Sequence, residues 1–159
     1  MNHDEALRTH LQRLLDWQDA HVGFDAAIEG IPPALRGVKP AGLPHSLWQC
    51  LEHMRICQWD ILDFCRNPDY QEMKPEEYWP KTIEPPTAEA WEQSVGDFRR
   101  DRRMLKQLAA DPALDLFATI PHGNGQTYLR ELLLVSDHNA YHVGALIAAR
   151  RLLGIWASS

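Results

Sequence analysis

The sequence predicts an all-α protein that folds as a four-helix bundle with long connecting loops. Four stretches carry apolar side chains at three- and four-residue steps, which is the period of a helix with a buried face. Connectors rich in proline and glycine separate these stretches, and no stretch alternates apolar and polar residues as a strand would. These observations favour a single helical domain over residues 1–159.

The first two predicted helices have clear boundary signals. The first covers about residues 4–29 and ends before Pro32–Pro33, because proline cannot continue a helix. The second covers about residues 46–66, and Ser46 is its expected N-cap. The loop that follows, residues 68–86, is long for a compact domain, and loops of that length often cover a functional feature.

The third and fourth predicted helices are bounded in the same way. The third begins at Thr87 and ends at Asp111, which precedes a proline. The fourth is capped by Thr127 and ends near Leu153, with Gly154 at the C′ position that favours glycine.

The fourth helix carries apolar residues on two sides, and we therefore expect it to lie centrally in the bundle. One side includes two histidines together with Leu134, Ala145 and Ala149. The roughly opposite side includes Leu129, Leu133, Val143 and Ile147.

Composition and charge restrict the class of partner. The formal net charge is −6, and the clustered arginines at residues 99–103 are interspersed with Asp101, so nucleic acid is not an expected partner. No apolar run approaches the ~18 residues of a membrane span, and the N-terminus does not resemble a signal peptide. We expect a cytoplasmic protein that does not bind membranes.

The three cysteines agree with a reducing compartment. Cys50, Cys57 and Cys65 lie on one side of the second helix, too far apart along its axis for disulfide formation. We expect them to be small buried apolar residues.

The clearest candidate metal ligands are His138 and His142 on the fourth helix. Their spacing places them ~6 Å apart along the axis and about 40° apart around it, so both rings can bind one ion. His53, on the core edge of the second helix, is the best candidate for a third ligand. A histidine that simply hydrogen-bonds to Glu52 or to the fourth helix is the alternative. Cys57, one turn from His53, is a less favoured soft ligand.

Two other metal motifs are excluded. A zincin would need glutamate at position 139, where this chain has Asn139. Di-iron bundles need glutamate three residues before each histidine, and those positions hold Cys50, Val135 and Asn139. A single-ion site with open coordination positions remains.

Several stretches are similar to one known family. They are His45–Gln49, Leu51–His53, Tyr78–Pro80, Pro121–Gly123, Gln126–Thr127 and Asp137–Gly144. On these residues the chain resembles the DinB-like superfamily of bacterial four-helix bundles. The resemblance implies one divalent ion per chain, held by His53, His138 and His142, with zinc, nickel and iron as the candidate metals. It also implies a homodimer.

Two functions follow from a single-ion site. Characterised members of the superfamily that this chain resembles include metal-dependent transferases of low-molecular-weight thiols and a mycothiol-dependent isomerase. The first function is therefore a thiol S-transferase or hydrolase acting on a small-molecule substrate, with the ion activating water or a thiol. The second is a non-catalytic stress-response protein with a structural ion. A fourth protein ligand would favour the second function.

The histidines outside the triad are candidates for supporting roles. His122 lies in a glycine-rich loop that can direct a side chain into a pocket, and we assign it the catalytic role of proton transfer or substrate placement. His21 and His45 are further candidates for contacts around the ion. We expect Trp48 and Trp79 to contribute to packing more than to substrate stacking.

Overall fold

A computed structural model describes residues 2–16 and 19–156 of the chain. Within those residues it is helical, and the only β-type pairing is an isolated bridge between Thr119 and Thr127. The helices are α1 (His3–Leu14), α2 (Phe24–Ile28), α3 (Leu47–Arg66), α4 (Ala90–Ala110) and α5 (Tyr128–Leu152). Two short 3₁₀ turns occur at Pro33–Leu35 and Pro75–Tyr78. The all-α prediction is confirmed.

The four longer helices form a bundle. α3 packs against α4 on one side and α5 on the other, and α1 packs against the same two helices. The short α2 packs on α5. No helix in the described part of the chain combines the length and apolar character that a membrane span requires.

The prediction of one helix over residues 4–29 is wrong. α1 ends at Leu14, and α2 begins only after Gly23, whose backbone is extended. Val22, an apolar residue within the predicted helix, is 39% exposed. The apolar period continues into α2, where Phe24 and Ile28 are buried, so the periodicity does not reveal the interruption.

The expected caps of α3 and α5 are confirmed. The hydroxyl of Ser46 accepts from the backbone N–H of Gln49, and the Gln49 side chain accepts from the Ser46 N–H. Thr127 caps α5 through its hydroxyl, which accepts from the backbone N–H of Arg130. α4 begins three residues later than predicted, because the chain at Thr87 first makes a turn that is closed by the N–H of Ala90.

The prediction that α5 lies centrally in the bundle is also wrong. Leu133 and Leu134 are 46% and 37% exposed, whereas Val143 is buried beside His142. α5 has a single buried stripe because its neighbours α1, α2 and α3 leave the remaining surface to solvent. It is therefore one wall of the bundle and not its centre.

A buried polar contact joins three helices near the middle of the bundle. The Gln58 side chain on α3 is fully buried and donates to the Phe98 carbonyl of α4 at 2.7 Å. Its oxygen accepts from the Asn139 side chain of α5 at 3.0 Å. Because an unpaired buried amide is costly, this contact favours one register of α3 against α4 and α5. Asn139 directly follows His138 on α5.

Candidate metal centre

Three histidines from two helices meet on one side of the bundle. His53 lies on α3, and His138 and His142 lie one turn apart on α5. Their ring centroids are 5.0 Å apart for His53 and His138, 4.6 Å for His53 and His142, and 4.5 Å for His138 and His142. The Nε2 atoms of His53 and His138 are 3.1 Å apart. We call these three residues the histidine cluster.

A backbone carbonyl determines which nitrogen of His53 is protonated. The Nδ1 atom lies 2.6 Å from the carbonyl oxygen of Tyr78, and a carbonyl can only accept, so Nδ1 carries the proton. In the neutral ring, Nε2 is then unprotonated and directed towards His138. Histidines that bind metal commonly donate their other N–H to a carbonyl in this way. Glu52, the partner considered from the sequence, forms an ion pair with Arg55.

The separation of the two Nε2 atoms suits a shared ion. Metal–nitrogen bonds of ~2.0–2.1 Å place two adjacent ligand atoms about 2.8–3.0 Å apart at octahedral angles and about 3.3–3.4 Å apart at tetrahedral angles. The observed separation between His53 and His138 is 3.1 Å. The Nδ1 atom of His142 is buried and has no hydrogen-bond partner among the described residues. An unpaired buried nitrogen is compatible with metal binding, and the Nδ1 atom of His138 is likewise unpaired among the described residues.

Cys57 also lies at the histidine cluster. Its Sγ atom is 3.5 Å from Nδ1 and 3.7 Å from Nε2 of His53. Ligand atoms of His53, Cys57 and His138 all lie within 4.8 Å of one another, so this His/Cys/His group can accommodate a divalent ion. Burial, aided by the nearby charge of Asp60, raises the pKa of the Cys57 thiol to about 12. The four-residue spacing from His53 was the sequence signal for this contact.

The surroundings keep the three imidazoles neutral. Burial, followed by repulsion from His138, His53 and His45, lowers the pKa of His142 to about 4. Burial also lowers the pKa of His53, against an opposing hydrogen bond to the Tyr78 carbonyl, and lowers the pKa of His138. Neutral imidazole is the form that binds metal ions.

The long loop between α3 and α4 covers the cluster through Trp79. The indole ring lies parallel to the His53 ring at 3.8 Å between centroids, and its other face stacks on His45 at 3.7 Å. Trp79 therefore packs between two imidazoles, which agrees with the expectation that this side chain contributes to packing. Trp48 is buried and donates from its indole N–H to Thr82.

His122 and His21 lie apart from the cluster. The Nε2 of His122 donates to the carbonyl of Phe64 at 2.8 Å, and its ring packs near Phe64 and Tyr70. Phe64 is eleven residues beyond His53 on α3, which is ~16 Å along the axis. A direct role of His122 in chemistry at the cluster would require a substrate that spans this distance. His21 is exposed, and its Nδ1 lies 2.8 Å from the carbonyl of Val22.

A cavity of about 380 Å³ adjoins the cluster, and His142 forms part of its wall. The other residues that line it are Leu43, Pro44, His45, Cys50, Trp79, Tyr141, Ala145 and Ala149. The helical period places Ala145 and Ala149 on the histidine side of α5, but it does not indicate the loop residues that close the cavity. Those residues come from distant parts of the chain, so no local spacing signals them.

A helical bundle with a histidine cluster between its second and fourth long helices defines a class of protein with a candidate metal centre. A family model described as the DinB superfamily matches residues 16–146. The chain belongs to the DinB superfamily. No curated protein and no solved structure showed significant similarity to it.

Proposed function

We propose that His53, His138 and His142 hold one divalent metal ion per chain, and that the protein is a metal-dependent enzyme acting on a small molecule. The observation that carries the proposal is the 3.1 Å separation of the His53 and His138 Nε2 atoms, with the His53 proton held on the opposite nitrogen by the Tyr78 carbonyl. Zinc, nickel and iron are the candidate metals, because neutral imidazole suits all three.

The arrangement supports catalysis because three protein ligands leave coordination positions open. When bound, the ion would act as a Lewis acid that activates water or a low-molecular-weight thiol, as a hydrolase or a thiol S-transferase requires. The chain itself supplies three neutral imidazoles, a tryptophan that shields His53 from water, and a cavity that reaches His142. A substrate in that cavity would lie beside one of the ligands.

A non-catalytic protein with a structural ion is the second candidate, and Cys57 is the observation that favours it. If the thiol of Cys57 joined the three histidines, the ion would have four protein ligands and no open position. The cost of deprotonating this buried thiol opposes that arrangement, although a bound cation lowers the pKa of a coordinating thiol. Metal content and activity of a Cys57 variant separate the two candidates.

The ligand set is tested by metal analysis of the protein purified without a histidine tag. We expect His142→Ala to lose most of the bound metal and His122→Ala to retain it, because His122 contacts α3 far from the cluster. Circular dichroism should show that both variants remain helical. If His142→Ala kept a full complement of metal, the proposed triad would be wrong.

Cys57→Ala distinguishes the enzyme from the structural-ion protein. We expect this variant to keep one metal ion per chain and to remain active in a screen that combines a low-molecular-weight thiol with electrophiles. The structural ion would be favoured by two results together: Cys57→Ala loses its metal, and the parent protein shows no activity in the screen.

We also propose that the protein is a homodimer and that α5 contributes to its interface. Leu134, Tyr141 and Leu152 are 37%, 73% and 60% exposed and lie along one side of α5. Exposed apolar residues arranged in this way are common at interfaces between copies of a chain. Sedimentation equilibrium tests the proposal: replacing Tyr141 and Leu152 with glutamate should yield monomers.

A further inference from the structure

We propose that the cavity beside His142 binds a neutral, largely apolar molecule about the size of a bicyclic aromatic ring system, and that this molecule is the substrate on which the metal centre acts. The claim that this molecule is the substrate rests on the proposed function, whereas the claim that it binds does not. Binding to the cavity is a property of the lining residues and does not require the ion.

The chemistry of the cavity wall indicates an uncharged ligand. Of the described residues that line it, none is lysine, arginine, aspartate or glutamate. Most of the wall consists of aliphatic and aromatic side chains, and Cys50 is buried with a pKa that burial raises to about 11, so it is a neutral thiol. In the metal-free protein, a carboxylate or phosphate that entered would lose its hydration without gaining a charged partner, which is costly.

The volume sets the size of the ligand. A cavity of ~150 Å³ lined by apolar side chains is large enough to bind benzene. The present cavity is about 380 Å³, which falls near the lower end of the range for small-molecule sites. Two fused rings with a short substituent suit this volume better than one ring or a peptide.

The shape of the cavity directs one end of the ligand to the histidine cluster. Ala145 and Ala149 follow His142 by about one and two turns on the same side of α5, and their small side chains leave space along the helix. Tyr141, 73% exposed, stands at the outer edge. A flat molecule lying along this part of α5 would reach His142 at one end.

The test compares 2-naphthol with 2-naphthoate as probes, because the two molecules share a ring system and differ in charge. Calorimetric titration uses the full-length protein as purified and again after chelation, so that binding of the carboxylate to a metal ion is measured separately. We expect 2-naphthol to bind with one molecule per chain in both preparations. After chelation, 2-naphthoate should bind at least tenfold more weakly.

Two substitutions on α5 locate the binding. Ala145→Leu should weaken 2-naphthol binding at least tenfold because the larger side chain fills the cavity. Ala140→Leu is the matched control: it adds the same side chain at an exposed position of α5 that neither lines the cavity nor lies on the side of Tyr141 and Leu152, and it should leave binding unchanged. Ala145→Val provides a smaller obstruction if Ala145→Leu proves poorly folded by circular dichroism.

Equal affinity of the chelated protein for the two probes would overturn the inference. An equal loss of 2-naphthol affinity in Ala145→Leu and Ala140→Leu would also overturn it. Neither outcome would change the metal content of the purified protein. Conversely, a protein that contains no metal but binds 2-naphthol at this cavity would contradict the proposed enzyme and leave the binding site in place. The two failures are therefore distinguishable.

Discussion

At the scale of single residues, His53 is held by contacts on several sides of its ring. One nitrogen donates to the Tyr78 carbonyl, the other faces His138, and one ring face is covered by Trp79. Each contact restricts a different property: the position of the proton, the direction of the lone pair and access of water. A histidine constrained in this way loses little conformational freedom when it binds an ion.

Gly123 shows how closely the loop before α5 approaches α3. A Cβ atom at this position would lie 2.8 Å from the Gln126 side-chain oxygen and 2.9 Å from the ring of Phe64. We expect Gly123→Ala to reduce the free energy of unfolding by ~1–3 kcal/mol, as other overpacked sites do. The measurement is urea denaturation followed by circular dichroism.

Gly96→Ala is the control for that substitution. Gly96 lies inside α4, is exposed, and has space for a Cβ atom with nothing within 4 Å. Because glycine lowers helix stability, alanine here should raise the free energy of unfolding by about 0.5–1 kcal/mol. If the two alanine variants had similar free energies of unfolding, Gly123 would not be packed closely on Phe64.

At the scale of elements, the loop that covers the histidine cluster is tied to α3 by one carboxylate. Asp60 is buried and accepts hydrogen bonds of 3.0 Å from the hydroxyls of both Tyr70 and Tyr78. Burial raises the pKa of Asp60, and the two hydroxyl donors oppose that rise. The same Tyr78 provides the carbonyl that accepts from His53, so Asp60 and His53 hold neighbouring parts of one segment.

We expect Asp60→Ala to weaken metal binding by ~10–100-fold, the usual effect of losing support for a metal ligand. The Tyr78 carbonyl would then be less firmly positioned against His53. Affinity can be measured by competition with a chromophoric chelator. Asp63→Ala is the matched control, since Asp63 lies on the same helix but contacts Asn67 instead of the loop tyrosines. An unchanged affinity in Asp60→Ala would show that the loop does not position His53.

Asp25 joins α2 to α4 through two arginines and introduces a pH dependence. Burial would raise its pKa, but hydrogen bonds from Arg102 and Arg99 outweigh burial and lower the pKa below the usual 3.8. The folded state therefore releases this proton more readily than the unfolded state. Its contribution to stability is complete above the unfolded pKa and is lost as pH falls towards the folded pKa.

Comparison of the parent protein with Asp25→Asn tests this sign. The difference between their thermal midpoints should be constant between pH 5 and 8, and should shrink as pH falls below about 4. The arginine-rich surface near Asp25 would otherwise carry unpaired positive charge. A difference that grew on acidification would contradict the lowered pKa.

At the scale of the whole molecule, the apolar core leads us to expect that the fold persists without the proposed ion. Two clusters of buried apolar residues fill the bundle, one near α2 and the histidine cluster and one around α1 and the far end of α3. Large fully buried side chains such as Phe98, Met54 and Leu132 belong to these clusters. Burial of these apolar side chains is the main favourable term in folding, and none of them is a proposed ligand of the ion.

Chelation should therefore lower the thermal midpoint without unfolding the protein at 25 °C. A ligand at a hundredfold excess over its dissociation constant stabilises the folded state by ~2.7 kcal/mol, which for a domain of this size corresponds to about 5–10 °C. Differential scanning calorimetry before and after chelation measures the shift. Loss of the helical signal at 25 °C would indicate a structural ion and exclude the enzyme proposal.

Features that depend on near neighbours in the sequence were predicted correctly. The bounds of α3 and α5, their caps at Ser46 and Thr127, and the pairing of His138 with His142 all follow from the helical period and from residues a few positions apart. These relations do not change with the packing of the rest of the chain. The placement of His53 on the core edge of its helix was predictable for the same reason.

What only the tertiary structure decided involves residues far apart in the sequence. The protonated nitrogen of His53 depends on the Tyr78 carbonyl, 25 residues later, and the distance of His122 from the cluster depends on where its loop meets α3. The single buried face of α5 depends on which of its surfaces neighbouring helices cover. The interruption after Leu14 has no counterpart in the apolar period of the sequence. Helical periodicity specifies which side chains share a face, but the register between helices and the path of loops arise from packing and from buried hydrogen bonds across the whole bundle.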